Sequence, residues 1–148
     1  MELQITDYPM GERPMVALPD PAFLEHLGEA GIRDLVGNHY DALVNSPIKD
    51  LFPSDTKMLA MAKKHSADFF IQICGGPDYF IQSRGQPKMA KRHAPFKITP
   101  QARATWLACY KPILSELELP EEMVQSFWNY LNIFSVWMIN TPDETTGK

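Results

Sequence analysis

At 148 residues with 45% apolar composition, the chain holds enough material for one domain with a real core and too little for two comfortable ones. Its formal charge of -4, from 14 basic and 18 acidic side chains, argues against a nucleic-acid binder, which gathers a basic excess into a patch. Eight methionines and 11% aromatic residues suit a pocket for a large flat ligand as well as they suit an ordinary core.

Residues 1–20 carry Pro9, Gly11, Pro14 and Pro19 among scattered polar residues, which breaks any continuous helix and reads as a mobile or surface-draped extension. From Pro21 the pattern changes to a short helix ending near Glu29, then a stronger one in which Leu35, Val36, His39, Tyr40, Leu43 and Val44 share a face. Pro47 ends it, and Leu51-Phe52-Pro53 makes a corner. Ser54 or Asp55 can cap the next helix, whose members Met58, Ala62, Ser66, Phe69, Phe70 and Ile73 recur on one side until Gly75-Gly76-Pro77 stops it.

The stretch from Asp78 to Phe96 contains Gly85, Pro87 and Pro95 and can hold only short helical turns. A long irregular connection inside a small domain is generally functional or disordered. Tyr79, Phe80, Ile81, Met89 and Phe96 give this one anchors. Thr99-Pro100 then pairs an N-cap residue with proline at the first helical position, and Pro120-Glu121-Glu122 starts the last helix with acids where the macrodipole favours them. The domain so delimited runs from 21 to 141, followed by a polar tail at 142–148. No sustained strand alternation, repeat or low-complexity tract interrupts it.

Cys74 and Cys109 form no CxxC or CxxCH arrangement, so neither zinc nor covalently attached haem is indicated, and both read as buried packing thiols. The start of the chain shows no basic region leading into an apolar one, and no window forms an uninterrupted apolar run of about 20 residues. The expectation is a cytoplasmic protein with no membrane association.

Four short motifs stand in fixed order: Gly75-Gly76-Pro77-Asp78-Tyr79, Arg84-Gly85-Gln86-Pro87, Arg92-His93-Ala94-Pro95-Phe96, and Trp106-Leu107 ten residues beyond Phe96. With Leu27-Gly28-Glu29-Ala30, His39-Tyr40 and Phe52-Pro53 upstream, this set resembles the group II truncated haemoglobins over roughly residues 24 to 140. The resemblance implies an all-α, two-over-two helical sandwich around haem, preceded here by an N-terminal extension. It also implies that the usual proximal helix is reduced to a loop and a single turn.

The cofactor implied is haem b, iron protoporphyrin IX, with His93 as the iron ligand and the sixth coordination position open to gas. The same resemblance puts Tyr40 and Trp106 in the ligand pocket, where a hydroxyl and an indole N–H can donate to dioxygen or another diatomic. Phe52 and Phe96 lie against the porphyrin, and Ala62 and Ser66 fall at pocket-facing positions one turn apart. Serine departs from the leucine or glutamine usual at its position. His39 is expected to reach the pocket edge or to orient the Tyr40 hydroxyl, and Arg92, with Tyr79 or Lys88, to pair with the haem propionates. His65, between Lys64 and Ser66, reads as a solvated helix-face histidine. Without the motif, His93 would be a loop histidine and Trp106 a core tryptophan.

The leading function is reversible binding of dioxygen, with nitric oxide and carbon monoxide competing, in a pocket whose donors slow release and so argue against bulk transport. Three readings stay beside it: a haem enzyme that consumes nitric oxide or peroxide, a gas sensor, and a haem-free helical interaction module. The chain has no flavin or nicotinamide fingerprint, so an enzyme would need a separate reductase. A monomer and a homodimer are equally compatible with the sequence.

Overall fold

The computed structural model describes residues 2–143, and within them every regular element is helical. Asp20 caps the first helix, α1 (Pro21–Leu43), by accepting from the Ala22 N–H at 2.9 Å, while Pro21 fills the first helical position. The two helices expected on either side of Glu29 are one run broken at Gly28, whose φ of 76° turns the chain without ending it. α2 (Thr56–Ile73) is capped by Asp55, which accepts from the Met58 N–H at 3.0 Å. Between α1 and α2 the Phe52-Pro53 corner follows a 3-10 turn at Lys49–Leu51.

α3 (Tyr79–Arg84) and α4 (Met89–His93) are the short turns that the middle segment allows. α5 (Pro100–Ser115) is capped by Thr99, which accepts from the Ala102 N–H at 3.0 Å, and α6 (Glu121–Phe134) runs on into a 3-10 turn at Ser135–Met138. α1 packs on α2, α5 and α6, and α5 packs on α6, so one helix pair is laid against the other. Between them Phe23 stacks on Phe127 at 4.5 Å, with Phe70 edge-on to the same ring. Residues 144–148, most of the expected polar tail, lie outside the described residues.

The glycine pair after α2 has a packing reason. Gly75 takes a φ of 97°, and a Cβ on Gly76 would stand 2.8 Å from a Leu24 methyl of α1 and 2.9 Å from the Ile71 carbonyl oxygen. The chain leaves α2 at a point where it touches α1, so no side chain fits there.

The segment before α1 runs along α6. Leu3 is buried in the core, the Trp128 indole N–H donates to the Gln4 carbonyl at 2.8 Å, and the Trp137 indole N–H donates to that of Pro14 at 2.8 Å. The Asp20 N–H donates to Ser126 Oγ at 2.7 Å.

His39 belongs to this core. It is 1% exposed, its ring lies flat on Tyr110 at 3.5 Å, and its Nε2–H donates to the Trp106 carbonyl at 2.9 Å. Burial pulls its pKa from 6.5 down to about 3, because the charged ring loses its hydration there.

Two outcomes follow. Gly76→Ala should lower stability by about 1–3 kcal/mol, the range for forcing an extra methyl into a packed site, read as a lower urea midpoint with unchanged slope. For His39 the folded pKa is the depressed one, so its contribution is present above pH 6.5 and lost as pH falls toward about 3. Melting temperature measured against pH should therefore fall more steeply through that window in the wild type than in His39→Gln, which has nothing to protonate.

Candidate functional site

A cavity of about 420 Å³ opens between the helix pairs and the middle segment, within the size range of cofactor sites. α1 and α2 contribute Tyr40, Ala62, His65 and Ser66, the corner contributes Phe52, α4 contributes Arg92 and His93, and α5 contributes Arg103 and Trp106. Most of the remaining lining is apolar, with Phe69, Phe80, Met89 and Phe134 among it.

His93 closes the last turn of α4. Its Nδ1–H donates to the Met89 carbonyl at 2.6 Å, which makes Nε2 the lone-pair nitrogen of a side chain that lines the cavity. The turn carrying it is held from outside. Arg92 donates from Nε to the Pro87 carbonyl at 2.6 Å and from Nη2 to those of Arg84 and Gln86 at 2.7 and 2.9 Å, with its guanidinium over the Phe80 ring at 5.2 Å. On the far side, Asn140 Nδ2 donates to the carbonyls of His93 and Phe96 at 3.2 and 2.8 Å, and the Ile98 N–H donates to its Oδ1 at 2.9 Å.

Burial, opposed by the nearby Ser66 hydroxyl, raises the Tyr40 phenol's pKa, so its O–H stays protonated. The Tyr40 ring stands edge-on to Phe52 at 5.6 Å. Trp106 is fixed by edge contacts to His39 at 5.1 Å and Tyr110 at 5.2 Å. Tyr40 and Trp106, both neutral, thus line a largely apolar cavity.

Eight of the residues singled out from the sequence meet in the lining: Tyr40, Phe52, Ala62, Ser66, Arg92, His93, Phe96 and Trp106. Three do not. His39 neither reaches the cavity edge nor orients Tyr40; adjacent helical residues point about 100° apart, and His39 turns into the core while Tyr40 faces the cavity. Tyr79 packs away from the cavity, near Glu29 and beneath the Arg33 guanidinium at 5.9 Å. Lys88 is exposed and outside the lining, and its left-handed φ of 39° makes it the hinge into α4.

Arg92, expected as a propionate partner, directs three of its donor contacts to backbone carbonyls. His65 is not a solvated surface ring. It lines the cavity, and its Nδ1 is the buried side-chain polar atom without a hydrogen-bond partner among the described residues. Burial first, then the charges of Arg84 and Lys64, lower its pKa. A flat apolar group with carboxylate ends would fit what is present: a broad, mostly apolar cavity, a histidine nitrogen available for ligation, and Arg84 and Arg92 in the lining. Arg84 and Arg103 were not singled out from the sequence. The signal for Arg103 was its place one turn before Trp106, on an otherwise apolar face.

The comparisons agree with this geometry. The family model described as bacterial-like globin matches residues 22–140. Group 2 truncated hemoglobin YjbI of Bacillus subtilis is 31% identical over 117 residues, covering 78% of this chain and 86% of that protein. Among solved structures, phosphate-bound Hell's gate globin IV superposes with a TM-score of 0.86 at 37% identity, over 95% of this chain and 89% of that one. The truncated oxygen-avid haemoglobin from Bacillus subtilis superposes with a TM-score of 0.74 at 29% identity, over 80% and 98%. A match over nearly the whole helical domain, with a histidine-bearing turn facing an aromatic-lined cavity, makes this chain a member of the bacterial-like globin family and a haem-binding group II truncated haemoglobin.

Proposed function

We propose that the protein binds haem b through His93 and reversibly holds dioxygen, or nitric oxide or carbon monoxide in its place, with Tyr40 and Trp106 as hydrogen-bond donors to the ligand. The observation that carries this reading is the His93 Nδ1–H bond to Met89. It commits the ring to the tautomer whose Nε2 can ligate iron. Haem supplies the iron that takes the gas; the side chains supply direction, dryness and donors.

Tyr40 and Trp106 are neutral donors in an apolar wall, where hydrogen bonds to a ligand gaining negative charge are worth more than in water. Ser66 lies near the Tyr40 hydroxyl, and Ala62 leaves space beside it. Phe52 and Phe96 supply apolar contact for the porphyrin faces, and Arg84, also in the lining, supplies a charge for its carboxylates. Tight retention suits storage or chemistry on the ligand better than transport. The name oxygen-avid attached to the related Bacillus subtilis structure accords with this reading. A nitric oxide or peroxide reaction fed by a separate reductase remains the second reading, favoured by the same paired donors. No helix among the described residues is long and apolar enough to cross a membrane.

The purified protein reconstituted with haem should show a Soret band that moves when carbon monoxide is added to the ferrous form. His93→Gly should lose or alter that band and regain it with exogenous imidazole; failure of the wild type to take up stoichiometric haem would remove the proposal. Tyr40→Phe should release dioxygen roughly ten- to a hundredfold faster, as expected for losing a hydrogen bond to a charged acceptor. Stopped-flow displacement of dioxygen by carbon monoxide reads that rate.

A further inference from the structure

Arg103 is a buried cation with no ion-pair partner among the described residues. It lies in α5, is 4% exposed, and lines the same cavity as His93. Its guanidinium bonds only to neutral groups: Nε donates to Ser135 Oγ at 2.9 Å, and Nη2 donates to the Asn132 carbonyl at 2.6 Å and to Asn132 Oδ1 at 2.8 Å. Burial works against its charge, and the groups nearby that favour it, Asp7 and Tyr8, belong to the segment before α1.

That segment also holds the partner. The Thr6 N–H donates to Asn132 Oδ1 at 3.1 Å, and Asn132 Nδ2 donates to Thr6 Oγ1 at 3.0 Å. Asn132, itself 7% exposed, is thereby clamped in the orientation that presents both its oxygens to Arg103. An arginine stays protonated even here. A contact chain therefore runs from Thr6 through Asn132 to the permanent positive charge of a cavity-lining residue.

We infer that Arg103 tunes the redox balance of the bound haem toward the ferrous form, and that the N-terminal segment fixes it in place through Asn132. This rests on the haem-globin reading. Adding one electron from an external one-electron donor to ferric haem removes one positive charge from the cavity. A fixed cation in a poorly screened wall repels the ferric form more than the ferrous form and so raises the midpoint potential. The ferrous form is the one that binds dioxygen, so the charge would keep the site competent between encounters with a reductant.

The test is potentiometric titration of the haem-loaded full chain, with dithionite and mediators, for the wild type, Arg103→Met, Arg103→Lys and Asn132→Asp. Arg103→Met removes the charge. Asn132→Asp leaves the guanidinium but sets a carboxylate against it. Both should raise the ferric-to-ferrous ratio at fixed potential about tenfold, equivalent to a midpoint about 59 mV more negative for a one-electron couple. Arg103→Lys, which keeps the charge and loses the fork, should stay near the wild type. Unchanged midpoints in haem-loaded Arg103→Met and Asn132→Asp would overturn the inference and leave the globin reading intact. Failure of both variants to fold would overturn it too, since Arg103 would then serve the fold alone. A wild type that takes up no haem would end both.

Discussion

A five-residue helix cannot hold its own geometry, because nucleating a turn fixes many dihedrals for few hydrogen bonds. α4 carries His93, the iron ligand we propose, at its last residue and still has to aim it. Its rigidity comes from side chains bonded to backbone. Arg92 gathers the carbonyls of residues 84, 86 and 87, and Asn140 gathers those of 93 and 96. Between these two clamps the Nδ1 bond to Met89 sets the ring. Across the cavity, Tyr40 and Trp106 are set by contacts of their own, with Phe52 and with His39 and Tyr110.

The scaffold spends its polar groups sparingly and satisfies them. Asp68, 2% exposed on α2, would be costly alone; burial pushes its pKa up, but Arg33 at 2.9 Å and Lys64 at 3.0 Å outweigh that and hold it as a carboxylate. His39 stays neutral between Tyr110 and the Trp106 carbonyl. By that bond and its edge contact with the indole, His39 supports Trp106 from behind. Its contribution to the site is therefore to fix the indole whose other side lines the cavity.

The segment before α1 is part of the same arrangement. Two indole N–H groups and one asparagine find their partners in it. Residues 2–19 therefore satisfy donors on α6 and the turn after it that would otherwise stand bare. Pro9, Pro14 and Pro19 carry no backbone N–H, so at those positions the segment offers only a carbonyl, as Pro14 does to Trp137.

The sequence alone determined the helix starts, through Asp20-Pro21, Asp55 and Thr99-Pro100, and the irregular middle, through its glycines and prolines; these are local effects, settled by caps and by residues that cannot continue a helix. It also singled out His93 through its flanking motif, and the structure places that residue in the cavity lining. What it did not determine was direction. Whether His39 or Tyr40 looks into the cavity, whether Tyr79 faces the haem side or Arg33, and whether Arg92 meets a cofactor or its own loop's carbonyls depend on how the helix pairs cross. Arg103 and His65 were invisible for the same reason: burial and orphaned nitrogens are properties of what a residue is packed against, and only the tertiary structure decided that.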